Sequence, residues 1–124
     1  MKELIVIGSG SFIGGTLRYL LSKWMQGNFL SAFPFGTFTV NVTGCFIIGL
    51  ISALSSRGEL SQQWQLFLAT GICGGFTTFS AFSNETLALF REGQFYYAGI
   101  YVAASVLMGI AATFAGISAI RLIS

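Results

Sequence analysis

The chain has 124 residues, of which only 8% are charged, and a mean hydropathy of +0.79. An average soluble domain is roughly 25% charged, so this chain lacks the polar groups that a small soluble fold needs at its surface. It also contains no histidine and no aspartate. A histidine-containing triad, a general acid–base pair and a transition-metal cluster therefore lack their usual residues. We expect neither an enzyme nor a partner of nucleic acid.

Four apolar stretches predict four transmembrane helices, because about 20 apolar residues are enough to cross the hydrocarbon core. The uncharged stretches are 4–17, 24–56, 60–84 and 93–120. The first reaches spanning length because the long stem of Arg18 can carry its charge to an interface. We therefore expect an all-α integral membrane protein that forms a single domain, residues 1–124. Its helices are predicted at about 4–23, 33–55, 63–91 and 95–120.

The basic residues are balanced between the two sides of such a bundle. On one side lie Lys2, Arg57 and Arg121. On the other side lie Arg18, Lys23 and Arg91. Equal numbers leave no bias under the positive-inside rule, so the chain has no preferred orientation. The balance predicts an antiparallel, dual-topology homodimer.

Asn41 lies in the middle of the second predicted helix. It shares one helix face with Thr37, Cys45 and Gly49, because these residues are spaced by four. A carboxamide in hydrocarbon is costly unless it is hydrogen-bonded, so Asn41 faces protein or water. The sequence leaves two interpretations open, an interhelical hydrogen bond and a place in a polar pathway.

The third predicted helix contains paired glycines, Gly74-Gly75, followed by paired threonines, Thr77-Thr78. Glycine and β-branched threonine both weaken a helix. An interruption at membrane depth is tolerated where the freed backbone lines a cavity or binds an ion. We therefore predict that the third helix is broken mid-span and that the break serves a function.

Polar and aromatic side chains follow the predicted break. Phe79 and Phe82 are three residues apart, and so are Ser80 and Ser83, so each pair shares a helix face. Glu85 comes next, and a purely structural motif has little use for a carboxylate at this depth. The fourth helix has hydroxyl groups at four-residue spacing on Tyr97, Tyr101 and Ser105. Together with Asn41, these groups are typical of a polar path.

The ten residues from Gly74 to Ser83 read GGFTTFSAFS, and this stretch resembles the CrcB/Fluc family of fluoride channels. The family signature is GGxTTFSTFS, from which only Ala81 departs, since threonine is typical there. Further matching pieces are Gly14-Gly15 with Arg18-Tyr19, Gly36-Thr37 with Asn41 and Gly44, and Phe90 with Glu92-Gly93. The resemblance covers essentially the whole chain.

The resemblance implies a channel in the bacterial inner membrane that lets fluoride leave the cell through two pores of an antiparallel homodimer. Phe79 and Phe82 would line the pores, because the electropositive edges of their rings can coordinate an anion without a formal charge. Asn41 and Ser80 would supply N–H and O–H donors that replace water. The remaining residues carried over are Ser83, Glu85, Tyr101 and Ser105 along the path and Arg18 in an aqueous vestibule.

The resemblance also implies a structural Na⁺ at the dimer interface. The backbone carbonyls of Gly74 and Thr77 would bind it, and two chains would supply four such oxygens. Hard oxygen ligands suit a cation of this kind.

Two other functions fit a small four-helix membrane protein. One is an exporter similar to the small multidrug resistance family, which also forms antiparallel dimers. Proton coupling in that family needs an acidic residue in the middle of helix one, and residues 4–17 contain none. The other is a non-transporting assembly protein, which gives no reason for a broken third helix.

Overall fold

The structure of the chain is a computed structural model that describes residues 1–28 and 33–123. Four of its helices are long and apolar enough to cross a membrane. These spans are Lys2–Met25, Phe35–Ser56, Gln62–Arg91 and Phe95–Leu122. The predicted all-α fold with four membrane-spanning helices is confirmed.

The third span differs from the others because it consists of several shorter pieces. In chain order the elements are α1 (Lys2–Asn28), α2 (Phe35–Ser56), α3 (Gln62–Gln65), a π-helical stretch (Leu66–Cys73), α4 (Gly74–Phe76), α5 (Phe79–Arg91) and α6 (Phe95–Leu122). Helix α1 continues past its predicted end at residue 23, because the sequence has no proline before Pro34 and a single glycine costs a helix only about 1 kcal/mol. Residues 29–32 of the predicted connection lie outside the described residues.

Glycines join α1 to the first half of the third span. A Cβ atom added to Gly10 would lie 2.9 Å from Gly71 Cα, and one added to Gly75 would lie 2.7 Å from the Ser11 carbonyl oxygen. Small residues allow this close approach, which drives helix association where lipid supplies no hydrophobic force. Helix α1 therefore forms a closely fitted support for the part of the third span that precedes α5.

The same kind of contact joins α2 to α6. A Cβ atom on Gly49 would lie 3.2 Å from Gly116 Cα, and one on Gly116 would lie 2.9 Å from Leu50 N. Across the same interface, the Thr113 hydroxyl donates to the Cys45 carbonyl at 3.1 Å. These contacts place α2 between α1 and α6, with its polar face directed at the middle of the third span.

Three buried side chains form a small cluster where α5 meets α6. Leu89, Ala98 and Tyr101 are its members, and Phe82 packs against it. Elsewhere the helices present large apolar side chains outward, among them Ile110 and Phe114 on α6. Apolar groups on the outside suit a protein surrounded by hydrocarbon.

Candidate functional site

Two consecutive residues interrupt the third span. Helix α4 ends at Phe76 and α5 begins at Phe79, while Thr77 (φ −86°, ψ 157°) and Thr78 (φ −151°, ψ 122°) are extended. Thr77 donates to the Cys73 carbonyl through its N–H at 3.0 Å and through its hydroxyl at 2.9 Å. A threonine hydroxyl that bonds four residues back competes with helical hydrogen bonding. The extended residues are therefore the threonine pair that the sequence singles out as a weak point.

Thr78 also starts the second half of the span. Its hydroxyl accepts a hydrogen bond from the Ala81 N–H at 3.1 Å and lies 3.2 Å from Ser80 Oγ. Threonine suits the N-cap because its side-chain oxygen satisfies an N–H that has no helical partner. The first turn of α5, which begins at Phe79, thus carries the aromatic and hydroxyl groups predicted to line a pore.

Asn41 on α2 is hydrogen-bonded to the backbone of the interruption. Its Oδ1 accepts from the Thr78 N–H at 2.8 Å, and its Nδ2 donates to the Thr78 carbonyl at 3.0 Å. A carboxamide nitrogen carries two N–H donors, so one N–H of Asn41 remains after this exchange. An interhelical hydrogen bond, one of the two interpretations left open by the sequence, is present.

The interruption frees the two backbone carbonyls predicted to bind Na⁺. In a continuous α-helix the Gly74 carbonyl would accept from the Thr78 N–H, which here donates to Asn41. Likewise the Thr77 carbonyl would accept from the Ala81 N–H, which here donates to the Thr78 hydroxyl. Carbonyl oxygens without their helical donors are suitable ligands for a hard cation. The residues present therefore fit the implied ion.

Arg18 on α1 lies beside the end of α4. Its Nε donates to the Gly75 carbonyl at 3.1 Å, and the residue is half-buried. The C-terminal end of a helix has partial negative charge, so a guanidinium is favourable there. This contact ties α1 to the interruption. The predicted place of Arg18 in an aqueous vestibule stays a prediction.

The rings of the first turn of α5 lead from the surface to a buried tyrosine. Phe79 is 78% exposed, and its ring centroid lies 5.7 Å from that of the half-buried Phe82. The Phe82 centroid lies 5.0 Å from the ring centroid of Tyr101 on α6, which is fully buried. The three aromatic side chains thus form a continuous row.

Glu85 holds three helices together at the inner end of this row. One carboxylate oxygen accepts from the Tyr101 hydroxyl at 2.9 Å, and the other accepts from the Thr37 hydroxyl on α2, also at 2.9 Å. Thr37 was not among the predicted site residues. It lies one helical turn before Asn41, so the four-residue spacing on α2 was the signal that could have found it.

An open cavity of about 450 Å³ lies beside the interruption, between α2, the third span and α6. Its lining includes six predicted site residues: Asn41, Gly74, Thr77, Phe79, Phe82 and Ser105. None of the described residues that line it is charged. Ser105 Oγ is buried and has no hydrogen-bond partner among the described residues. The cavity therefore brings hydrogen-bond donors and aromatic rings together without a formal charge.

The other predicted site residues lie around this cavity rather than in its wall. Ser80 is exposed beside Thr78, and Ser83 is exposed in a smaller hollow on the outer side of α5. Glu85 and Tyr101 lie behind Phe82, on the side away from Phe79. The roles predicted for these four residues stay predictions.

The sequence of the chain is similar to a known protein family and to individual members of it. The family model described as CrcB-like protein, Camphor Resistance (CrcB), matches residues 5–117. The chain is 45% identical over 122 residues to a protein of Rhizobium johnstonii named fluoride-specific ion channel FluC, and the match covers 98% of each chain. It is 42% identical to a protein of the same name from Oceanobacillus iheyensis, over 94% of this chain and 90% of that protein. A Streptomyces avermitilis protein named fluoride-specific ion channel FluC 1 is 44% identical over 94% of each chain.

Proposed function

This chain belongs to the CrcB-like family, and on that premise we propose that it is a fluoride-selective channel that lets fluoride leave the cell down its electrochemical gradient. With its four spanning helices it is a multi-pass protein of the bacterial inner membrane. The observation that carries the proposal is the uncharged cavity at the interruption, where Asn41, Phe79 and Phe82 meet. Export of fluoride without a chemical reaction would reduce its toxicity to the cell.

The residues around the cavity suit a small, strongly hydrated anion. Ring edges of Phe79 and Phe82 attract an anion, and the free N–H of Asn41 replaces a water donor. Because none of these groups carries a formal charge, they do not trap the ion, and conduction needs binding weak enough for release. Chloride is larger and a weaker hydrogen-bond acceptor, so a narrow path lined with donors discriminates against it.

Hydroxyl groups extend the proposed path in both directions from the rings. Ser80 and Ser83 lie on the exposed side of α5, and Ser105 brings a buried hydroxyl without a partner into the cavity. Beyond Phe82, the Tyr101 hydroxyl is held by Glu85. We assign Arg18 to the mouth of the path, where a guanidinium raises the local concentration of anions.

The proposed working unit is an antiparallel, dual-topology homodimer with a structural Na⁺ at its interface. The balanced basic residues support insertion in both orientations. Gly74 and Thr77 both line the open cavity, so a second copy seated there would approach the two residues whose carbonyl oxygens lack their helical donors. Those oxygens would hold the Na⁺, which when bound supplies positive charge that joins the two interrupted spans.

A flux assay tests the proposed function. The purified protein is placed in liposomes loaded with potassium fluoride or potassium chloride, and release after addition of valinomycin is followed with an electrode selective for the loaded anion. Fluoride should leave far faster than from protein-free liposomes, while liposomes loaded with potassium chloride should release almost nothing. Release of fluoride at the protein-free rate, or equal release of chloride, would contradict the proposal.

The orientation of the chain is tested separately. Single cysteines are placed at either end of a cysteine-free variant and labelled in intact cells with a reagent that does not cross the membrane. Each end should be labelled in about half of the molecules, since equal basic charge gives no preference. If one end were labelled in all molecules, the proposed antiparallel dimer would be wrong.

A further inference from the structure

The Asn41 carboxamide occupies both hydrogen-bonding groups of one backbone residue, Thr78. In a continuous α-helix the Thr78 N–H would bond to the Gly74 carbonyl, and the Thr78 carbonyl would accept from the Phe82 N–H. The interruption removes the first of these bonds, and a buried N–H without a partner is costly. The Thr78 carbonyl, as that of the N-cap, begins the hydrogen bonding of α5 and has a second lone pair. Asn41 supplies the missing acceptor to the N–H and an additional donor to the carbonyl, so its side chain acts as a short piece of neighbouring backbone.

We infer that Asn41 is a positioning residue that holds the interruption extended and so fixes where α5 begins. The inference rests on the proposed function, because it gives Asn41 a second task beside that of an anion donor. The two tasks use different atoms. Oδ1 and one N–H bind Thr78, and the other N–H remains for an ion.

A second contact from the same face of α2 supports this assignment. Gly44 lies three residues after Asn41, and a Cβ atom there would overlap the Thr77 methyl group and lie 3.5 Å from the Phe76 ring. The missing side chain of Gly44 therefore makes room for Thr77 in its extended conformation. Helix α2 holds Thr78 by hydrogen bonds and accommodates Thr77 by shape, so it contacts both interrupted residues.

Positioning at Thr78 affects the groups that follow it. Thr78 is the N-cap of α5, and Phe79 is the first residue of that helix. A change in the backbone at Thr78 therefore moves the Phe79 ring and, one turn later, the Phe82 ring. A loose interruption would spread these rings over several positions, although each residue would still be present.

Hydrogen exchange of the Thr78 N–H tests the inference without relying on conduction. Three proteins are compared in fluoride-free buffer by NMR: the natural chain, Asn41→Leu, and Cys45→Ala as the matched control. Cys45 lies one turn after Asn41 on α2 and lines the same cavity, and its side chain makes no hydrogen bond among those described. Each protein is first isolated as a single species by size exclusion.

We expect the Thr78 N–H of Asn41→Leu to exchange at least about tenfold faster than in the natural chain, because its acceptor is gone. In Cys45→Ala the rate should stay within about twofold of the natural chain. Fluoride flux should fall in Asn41→Leu. If Asn41→Leu does not assemble, Asn41→Asp replaces it. Its carboxylate still accepts from the Thr78 N–H but cannot donate to the carbonyl, so the ¹³C shifts of Thr78 should move.

Three results would overturn the inference. Unchanged exchange at Thr78 with reduced flux would make Asn41 an ion ligand alone. Equally fast exchange in Cys45→Ala would show a general loosening of α2 rather than a specific link. For Asn41→Asp, unchanged ¹³C shifts would show that the bond to the Thr78 carbonyl positions nothing. If the natural chain carries no fluoride, the proposed function fails, and the exchange rates still decide the role of Asn41.

Discussion

The two halves of the third span, before and after Thr77-Thr78, are held in the protein by different interactions. The first half contacts α1 backbone to backbone, through Gly71 and Gly75, with almost no side chain between. The second half, α5, is held by side chains, since Glu85 accepts hydrogen bonds from α2 and α6. Phe79, at the start of α5, is left mostly exposed.

This difference indicates that the first half is a rigid support and that the second half carries the groups proposed to act in transport. Close backbone packing leaves no freedom to adjust, so the first half can hold carbonyl groups at fixed positions. Side-chain contacts leave room for an ion to pass and allow rings and hydroxyl groups to change rotamer. We therefore expect substitutions in the first half to act on folding, and substitutions in the second half to act on transport.

The largest effect is expected from Gly14→Val on α1. A Cβ atom there would overlap the Ile72 carbonyl and lie 2.9 Å from Phe76 N, both on the first half of the third span. Separating the helices should cost about 3 kcal/mol of folding free energy and abolish assembly. Gly8→Val is the control, because a Cβ atom on Gly8 meets nothing within 4 Å. For both variants, size exclusion measures assembly and thermal unfolding measures stability. A stable, assembled Gly14→Val protein would show that α1 is not a fixed support.

The next effect is expected from Phe79→Ile and Phe82→Ile. Isoleucine keeps much of the bulk but removes the electropositive ring edge, so fluoride flux should fall about tenfold while assembly persists. Phe114→Ile, on the outer face of α6, serves as the control and should conduct normally. Wild-type flux in both phenylalanine variants would exclude the ring-edge mechanism and leave α5 without its proposed role.

Gly44→Ala addresses the boundary between the two halves. The new methyl group would displace Thr77, whose carbonyl is proposed to bind Na⁺. Fluoride flux should therefore fall about fivefold, and half-maximal flux should require a higher Na⁺ concentration than in the natural chain. Gly109→Ala is the matched control, since its Cβ atom would lie 3.4 Å from Cys45 Sγ, which can yield. Flux assays over a range of Na⁺ concentrations measure the effect. Equal behaviour of the two variants would exclude a steric role for Gly44.

The smallest effect is expected from Tyr101→Phe. The ring stays, but Glu85 loses the hydrogen bond of 2.9 Å from the tyrosine hydroxyl, which should cost about 1 kcal/mol of stability. Tyr97→Phe, one turn earlier on α6 and partly exposed, should stay within about 0.5 kcal/mol of the natural chain. Thermal unfolding compares them. If the two variants are equally stable, the contact between Tyr101 and Glu85 contributes nothing to holding α5.

The four spans could be predicted because crossing the hydrophobic thickness of a membrane requires about 20 consecutive apolar residues, which are visible in the local sequence. The weak point at Thr77-Thr78 could also be located, since glycine and threonine act on the helix that contains them. The π-helical stretch Leu66–Cys73 was not predicted, because a shift to bonds five residues apart leaves no distinctive composition.

Partners distant in sequence could not be predicted in the same way. Asn41 and Thr78 are 37 residues apart, and Thr37 and Glu85 are 48 apart. Each bond depends on how helices pack, which the spacing within one helix does not determine. For this reason Asn41 and Glu85 could be identified from the sequence as polar groups of interest, but Thr37 could not be identified as a hydrogen-bond donor to Glu85.

The interruption also has an electrostatic consequence. Peptide dipoles align along a helix and leave about half a positive charge at its start and half a negative charge at its end. Ending one helix at Phe76 and starting another at Phe79 therefore places opposite partial charges at two helix ends that only two residues separate. A cation and an anion can thus be favoured side by side at mid-membrane by backbone alone. Peptide groups do not titrate, so this attraction is the same at any pH at which the cell lives.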